Sequence, residues 1–167
     1  MKSFVIVVKD NEISELGYQQ VVDSYMQYGH YDGIEPHYAV ELDKVDGFTS
    51  GNGLQWNYPW SGEKTDLKTG LIKKAYPTED KRKRISCFLS HWYLWQKCKK
   101  LDEMICVLEH DARFVKKLPS DRTFRNSKYD IIGINDPSMA TRKSKLYHDK
   151  ILAVSYTHLT LPTIAIV

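Results

Sequence analysis

Two carboxylates follow directly on an apolar segment near the middle of the chain. The run Met104–Leu108 has the length and the β-branched content of a buried strand, and Glu109-His110-Asp111 comes immediately after it. Open α/β sheets gather ligands at the carboxyl ends of their strands, because the loops diverge there and leave a crevice. In a strand that continued, residues 109 and 111 would project to the same side. Paired carboxylates suit Mn²⁺ or Mg²⁺, so Asp111 and Glu109 are candidate ligands of a divalent cation. Two solvated charges at a strand end are the alternative, and these residues alone favour it.

The first forty residues predict a strand, a helix and a second strand. Phe4–Val8 is apolar throughout, as in a buried parallel strand. A helical repeat of apolar residues opens at Ser14, and Gly29 stands where a C-cap glycine belongs. Glu35–Val40 reads as a short second strand. This order favours a mostly parallel sheet.

The segment 43–80 collects glycines and prolines and is predicted to be a long loop. Trp56, Tyr58 and Trp60 lie within it. Such rings can stack on a sugar or a base, and they can equally pack the loop onto the core. The sequence leaves both interpretations open.

A helix and two further strands complete the predicted α/β arrangement. Lys99 and Lys100 complement the dipole at the C-terminus of the predicted helix Ile85–Leu101. Asp130–Ile134 is predicted to be a strand that follows the one ending near Glu109. The predicted helix carries an apolar stripe made of Ile85, Phe88, Leu89, Trp92 and Trp95.

Composition limits the class of protein. The chain has 167 residues, 42% of them hydrophobic and 27% charged, which is the balance of a folded domain. A net charge of +3 is too small to predict a nucleic-acid partner. The 3 cysteines show no CxxC spacing and are expected to be free thiols in a reducing, cytoplasmic compartment. The apolar run near the N-terminus is too short for a signal peptide or a transmembrane segment.

The last residues resemble a translated sequencing adapter. Ser155–Thr163 matches the reading of a transposase adapter at every position, and that adapter continues with a valine codon and a stop, as at Val167. We therefore expect 1–153 to be the N-terminal part of one domain and 154–167 to be non-native. On this hypothesis the domain is incomplete at its C-terminus. Genomic DNA that encodes this tail within a longer open frame would contradict it.

Two motifs together resemble glycosyltransferase family 25, the lipooligosaccharide and collagen galactosyltransferase group. The helix segment Cys87–Trp95 is similar to the family's Gly-Cys-x-x-Ser-His-x-x-x-Trp, and Val107–Asp111 is similar to its Leu-Glu-Asp-Asp strand end. The opening strand and Tyr38–Val40 also look like their family counterparts. The resemblance covers most of residues 1 to about 136.

The resemblance implies a GT-A-like, Rossmann-like fold and a hexosyltransferase of lipopolysaccharide biosynthesis, with 1–153 as its donor-binding part. Such an enzyme moves a hexose, galactose or glucose, from a UDP-sugar to a hydroxyl of a glycan or protein acceptor with inversion, assisted by Mn²⁺ or Mg²⁺. Asp111 and Glu109 would hold the ion, and Ser90, His91 and Arg84 would bind the donor. Ser90 and His91 can also brace the acidic strand. The general base is not assigned, because the family's base would lie later in the domain.

Several positions depart from the family pattern. Ser86 replaces a glycine, Arg84 stands where the family often has glutamate, and His110 replaces the middle acid of the strand-end motif. Two other functions remain open. A metal-dependent phosphodiesterase or nuclease would use the same two acids with the basic run Lys81–Arg84, and a non-catalytic binding domain would keep only the transferase-like fold.

Overall fold

A parallel sheet with helices on both faces forms the frame of the protein. The computed structural model describes residues 1–28, 33–67, 70, 72–75 and 78–134 and the backbone of 164–166. The strand order in the five-stranded sheet is β2-β1-β5-β7-β6, and every neighbouring pair is parallel. In chain order, the elements are β1 (Lys2–Val7), α1 (Glu12–Gln27), β2 (Ile34–Tyr38), a 3₁₀ helix (Leu42–Lys44), α2 (Val45–Gly51), β3 (Glu63–Thr65), β4 (Ile72–Lys74), α3 (Lys81–Leu101), β5 (Ile105–Glu109), α4 (Asp121–Arg125), β6 (Ile131–Gly133) and β7 (Ile164–Ile166).

Successive side chains of β1 and β5 point to opposite faces of the sheet, so the core has two layers. Val5, Val7, Cys106 and Leu108 pack with Val21 and Tyr25 of α1 on one face. On the other face, Phe4, Ile6, Ile105 and Val107 pack with Leu94 and Cys98 of α3. Because Glu109 follows this alternation, its side chain lies on the α3 face of the sheet. The predicted α/β class and parallel sheet are confirmed.

Local signals fix the ends of the two long helices. The Asn11 side chain accepts a hydrogen bond from the Ser14 amide at 2.9 Å, so α1 begins at Glu12 rather than at Ser14. The Asp80 side chain accepts one from the Arg82 amide at 2.9 Å and begins α3 at Lys81, four positions before the predicted start. The predicted C-cap Gly29 lies outside the described residues.

The segment predicted as one long loop contains short elements instead. It holds the 3₁₀ helix, α2 and an antiparallel hairpin of β3 and β4. Val45 of α2 is fully buried, and the Phe48 ring lies 5.5 Å from the ring of Trp92 on α3. The sequence did not predict α2, because Gly, Thr and Ser are weak helix formers. The packing of Val45 and Phe48 overrides their low helix propensity.

The buried face of α3 is also different from the predicted stripe. Phe88 is 39% exposed, and its ring meets those of Trp56 and Trp95. Trp92 and Trp95 are half-buried: Trp92 meets Phe48 of α2, and Trp95 packs against the edge of the core layer under α3. The buried residues of α3 are mostly spaced by four and include small polar ones: Ser86, Leu89, Ser90, Leu94 and Cys98.

The strand β7 lies in the segment predicted to derive from an adapter. It pairs with β5 on one side and with β6 on the other. The origin of residues 154–167 stays a prediction. Within the part of the chain that the structure describes, we find no helix with the length and apolarity needed to cross a membrane.

Candidate functional site

A pocket of about 510 Å³ opens at the carboxyl edge of the sheet. Residues after β1 and β2, one face of α3 and the end of β5 line it. Its size is typical of small-molecule sites, and its position is the edge where parallel sheets bind ligands. Two lysines, Lys9 and Lys83, also line it and can attract an anionic ligand.

Glu109 and His91 form an ion pair at this pocket. His91 Nε2 lies 3.0 Å from Glu109 Oε1, and the Glu109 side chain is still 47% exposed. Hydrogen bonds with the Cys87 thiol and with the Glu109 carboxylate raise the pKa of His91 to about 9, against the effect of burial. The hydrogen bond with His91 lowers the pKa of Glu109. At neutral pH the pair is therefore an imidazolium and a carboxylate, and His91 positions Glu109.

Cys87 is a site residue that the sequence analysis did not assign. It lies one helical turn before His91, it is exposed, and Cys98 and Cys106 are buried. The metal-ligating atoms of Cys87, His91 and Glu109 all lie within 4.8 Å of one another. The spacing of four between Cys87 and His91 on a predicted helix was the signal that could have found it.

The structure does not bring Asp111 and Glu109 together on one strand face. Because β5 ends at Glu109, His110 and Asp111 form a turn and the predicted alternation does not reach Asp111. Asp111 is exposed and, unlike Glu109 and His110, does not line the pocket. The His110 carbonyl instead packs against Gly17 of α1, where a Cβ atom would stand 2.4 Å from the oxygen.

Ser90 joins α3 to the segment that follows β2. Its hydroxyl accepts a hydrogen bond from the Val40 amide at 3.0 Å and donates one to the Ser86 carbonyl at 2.7 Å. The Ser86 hydroxyl donates to the Val40 carbonyl at 2.5 Å. The two serines thus bind both backbone polar groups of Val40 and hold one wall of the pocket.

Arg84 lies among the aromatic residues of the predicted loop. Its guanidinium stands 4.6 Å from the centre of the Tyr58 ring and 5.9 Å from those of Trp56 and Trp60. The two indoles stack on each other at 5.1 Å. These contacts pack the loop onto α3, and of the cations in the basic run it is Lys83 that lines the pocket.

The comparison with protein families identifies the family of the chain. The model of glycosyltransferase family 25, described as an LPS biosynthesis protein, matches residues 57–158. The chain belongs to glycosyltransferase family 25. No curated protein and no solved structure matches it.

Membership in family 25 makes the chain a glycosyltransferase in general terms and agrees with its Rossmann-like sheet. The matched residues include α3 and β5, so the pocket wall with His91 and Glu109 lies inside the match. The match ends at residue 158, within the segment predicted to be adapter-derived. Ser86, which departs from the family motif, has a structural use here because it binds Val40.

We expect Ser90→Ala to lower the free energy of unfolding of this family-25 domain by about 1–3 kcal/mol, because the Val40 amide loses its buried acceptor. Urea unfolding followed by circular dichroism measures the change. Ser50→Ala is the matched control, since Ser50 is an exposed helical serine bonded to its own turn, and its effect should stay within about 0.5 kcal/mol. Equal effects of the two variants would contradict the bracing role of Ser90.

The His91–Glu109 pair predicts a pH dependence of stability. Since the pKa of His91 is raised from 6.5 to about 9, its contribution is complete below pH 6.5 and is lost as the pH rises through about 9. The lowered pKa of Glu109 gives a contribution present above pH 4.5 that is lost as the pH falls below it.

The destabilisation caused by His91→Gln should therefore shrink between pH 6.5 and about 9. Urea unfolding of both proteins at several pH values tests this expectation. His37→Gln is the control: burial lowers the pKa of His37, so this residue does not change charge in that range. A destabilisation by His91→Gln that is constant across the range would exclude the charged pair.

Proposed function

We propose that the chain binds a UDP-sugar at this pocket and transfers a hexose, galactose or glucose, to a hydroxyl of a glycan or protein acceptor, with inversion and with a divalent cation. The observation that carries the proposal is a carboxylate, Glu109, presented into a pocket of about 510 Å³ at the carboxyl edge of a family-25 sheet. A nucleoside diphosphate is an anion of suitable size for such a pocket.

The residues present fit Mn²⁺ or Mg²⁺ through their oxygen chemistry. Glu109 keeps nearly half of its side chain exposed, and no ion pair within the described residues occupies the Asp111 carboxylate in the adjoining turn. Hard cations of this kind bind through one or two carboxylates and complete their shell with phosphate oxygens and water. Glu109 and Asp111 would hold the ion, which would neutralise charge on the departing diphosphate.

The other residues of the pocket act through position and charge. His91 orients the Glu109 carboxylate, and Lys9 and Lys83 supply positive charge to attract the diphosphate. Ser90 holds the segment after β2 against α3, the helix that carries His91. We also propose that Ser90 contacts the donor directly. Arg84, held against three aromatic rings, would reach the donor only after leaving them.

Inversion requires a base that removes the proton of the acceptor hydroxyl. We assign no residue to this role, so the proposal covers donor binding and the electrostatics of the leaving group. The three free cysteines support a cytoplasmic location, where thiols stay reduced. The donor and the acceptor are the proposed partners, and nucleic acid is not among them.

The test is metal-dependent consumption of the donor. The chain is incubated with UDP-galactose or UDP-glucose and Mn²⁺, with and without a glycan acceptor, and the release of UDP is followed. UDP release that requires the metal and depends on the sugar supports the proposal. Cleavage of RNA or DNA under the same conditions, without UDP release, would favour the phosphodiesterase hypothesis. Binding of a ligand with no turnover of either substrate would favour a non-catalytic domain.

A further inference from the structure

We propose that Cys87, His91 and Glu109 form a second kind of cation site, one that selects a thiophilic divalent ion such as Zn²⁺. Once His91 and Cys87 release a proton each to solvent as the ion binds, the three residues offer a thiolate sulfur, a ring nitrogen and a carboxylate oxygen. All three ligand atoms lie within 4.8 Å of one another. Borderline-soft ions prefer this mixture of ligands, whereas Mg²⁺ and Mn²⁺ prefer oxygen alone.

The local fold supplies the geometry of this site. Cys87 and His91 are four residues apart on α3, so both side chains lie on the same face of the helix. Paired ligands at this spacing on a helix are a known arrangement for zinc. Glu109 enters from the end of β5, and its carboxylate already lies 3.0 Å from His91 Nε2. The ligands therefore come from two rigid elements of the core.

Small side-chain movements suffice to close the site. With bond lengths of about 2.0–2.3 Å, the ligand atoms of a tetrahedral zinc ion lie about 3.3–3.8 Å apart. The separations of up to 4.8 Å here must shrink by about 1 Å, and the exposed Cys87 thiol and half-exposed Glu109 carboxylate have the freedom to do so. Three protein ligands leave the fourth position to water, on the side of the pocket that all three residues line.

This site shares Glu109 with the proposed Mn²⁺ or Mg²⁺ site but does not include Asp111. The binding of the thiophilic ion is independent of the proposed function. One consequence rests on that function. Zn²⁺ bound to Cys87, His91 and Glu109 would compete with the donor-bound cation for the Glu109 carboxylate, so Zn²⁺ would inhibit metal-dependent UDP binding.

Titration of the purified chain with Co²⁺, a spectroscopic substitute for zinc, tests the site. We expect visible bands of a tetrahedral ion together with a near-ultraviolet thiolate-to-cobalt charge-transfer band, and Zn²⁺ should displace both. Cys87→Ser should abolish the charge-transfer band and weaken Co²⁺ binding at least about tenfold. Asp111→Asn is the control. It should leave the visible bands and the charge-transfer band of Co²⁺ unchanged, whereas it should weaken the binding of Mn²⁺ or Mg²⁺ at the proposed donor site.

A native titration without a charge-transfer band would overturn the proposal, and so would a band that persists in Cys87→Ser. A second measurement needs no variant: Zn²⁺ should slow the alkylation of Cys87 in the native chain, with the modified residue identified by peptide mass spectrometry. Alkylation at an unchanged rate would also overturn the proposal. Because neither measurement uses UDP, failure of the proposed function would not alter these results.

Discussion

Glu109→Gln should weaken metal-dependent UDP binding by about 100-fold or more. Loss even of a residue that only supports a metal ligand costs 10–100-fold in metal affinity, and Glu109 is proposed as a ligand itself. The amide keeps the size of the side chain but removes the charge that pairs with His91. Calorimetric titration of UDP into protein with excess Mn²⁺ measures the loss.

Glu103→Gln is the matched control for this variant. Glu103 lies just before the opposite end of β5, more than half exposed, and its ion pair is with Lys2 on the surface. Its replacement should leave UDP affinity unchanged within about twofold, since exposed ion pairs contribute little. Equal affinities of Glu109→Gln and the native protein would remove Glu109 from the donor site.

Gly17→Ala should destabilise the domain by about 2 kcal/mol, although alanine normally stabilises a helix interior by about 1 kcal/mol relative to glycine. A Cβ atom at Gly17 would lie 2.4 Å from the backbone oxygen of His110 and 3.3 Å from its Cδ2. Backbone cannot rotate away as a side chain can, so α1 or the turn after β5 must move. Thermal unfolding should show a decrease in Tm of about 4–8 °C.

Gly47→Ala is the matched control, because Gly47 is also helical, is exposed, and has no atom within 4 Å of the added carbon. That variant should be neutral or slightly stabilising. Since the displaced turn carries His110 and Asp111, Gly17→Ala should also weaken UDP binding. A Gly17→Ala protein as stable as Gly47→Ala would show that the close approach does not constrain the turn.

The main elements of the fold could be predicted because their signals are local. The apolar runs that became β1 and β5 and the capped helices α1 and α3 are readable from spacing and capping residues. The short helix α2 was missed because only the contacts of Val45 and Phe48 make it favourable. The predicted aromatic stripe of α3 was only partly right for a related reason. Phe88 and Trp92 contact the segment between β2 and α3, whereas Leu94 and Cys98 pack on the sheet.

The site was predicted in part. The strand end and the helix were correctly brought to one pocket, and the contact between His91 and Glu109 is the bracing that the sequence analysis had left open. The expectation that Asp111 projects from the same strand face as Glu109 does not apply, because alternation holds only while a strand continues and β5 ends at Glu109. Binding of a metal ion by these two acids stays a prediction. The spacing of four between Cys87 and His91 gave only part of the signal for Cys87, because Glu109, the third residue of the group, comes from another element.

The most direct test of the donor site is calorimetric titration of the native chain with UDP, in Mn²⁺ and in chelator, repeated with Asp111→Ala. We expect UDP binding that requires Mn²⁺ and that is weakened in Asp111→Ala. No UDP binding in Mn²⁺, or binding of equal strength in chelator, would contradict this expectation.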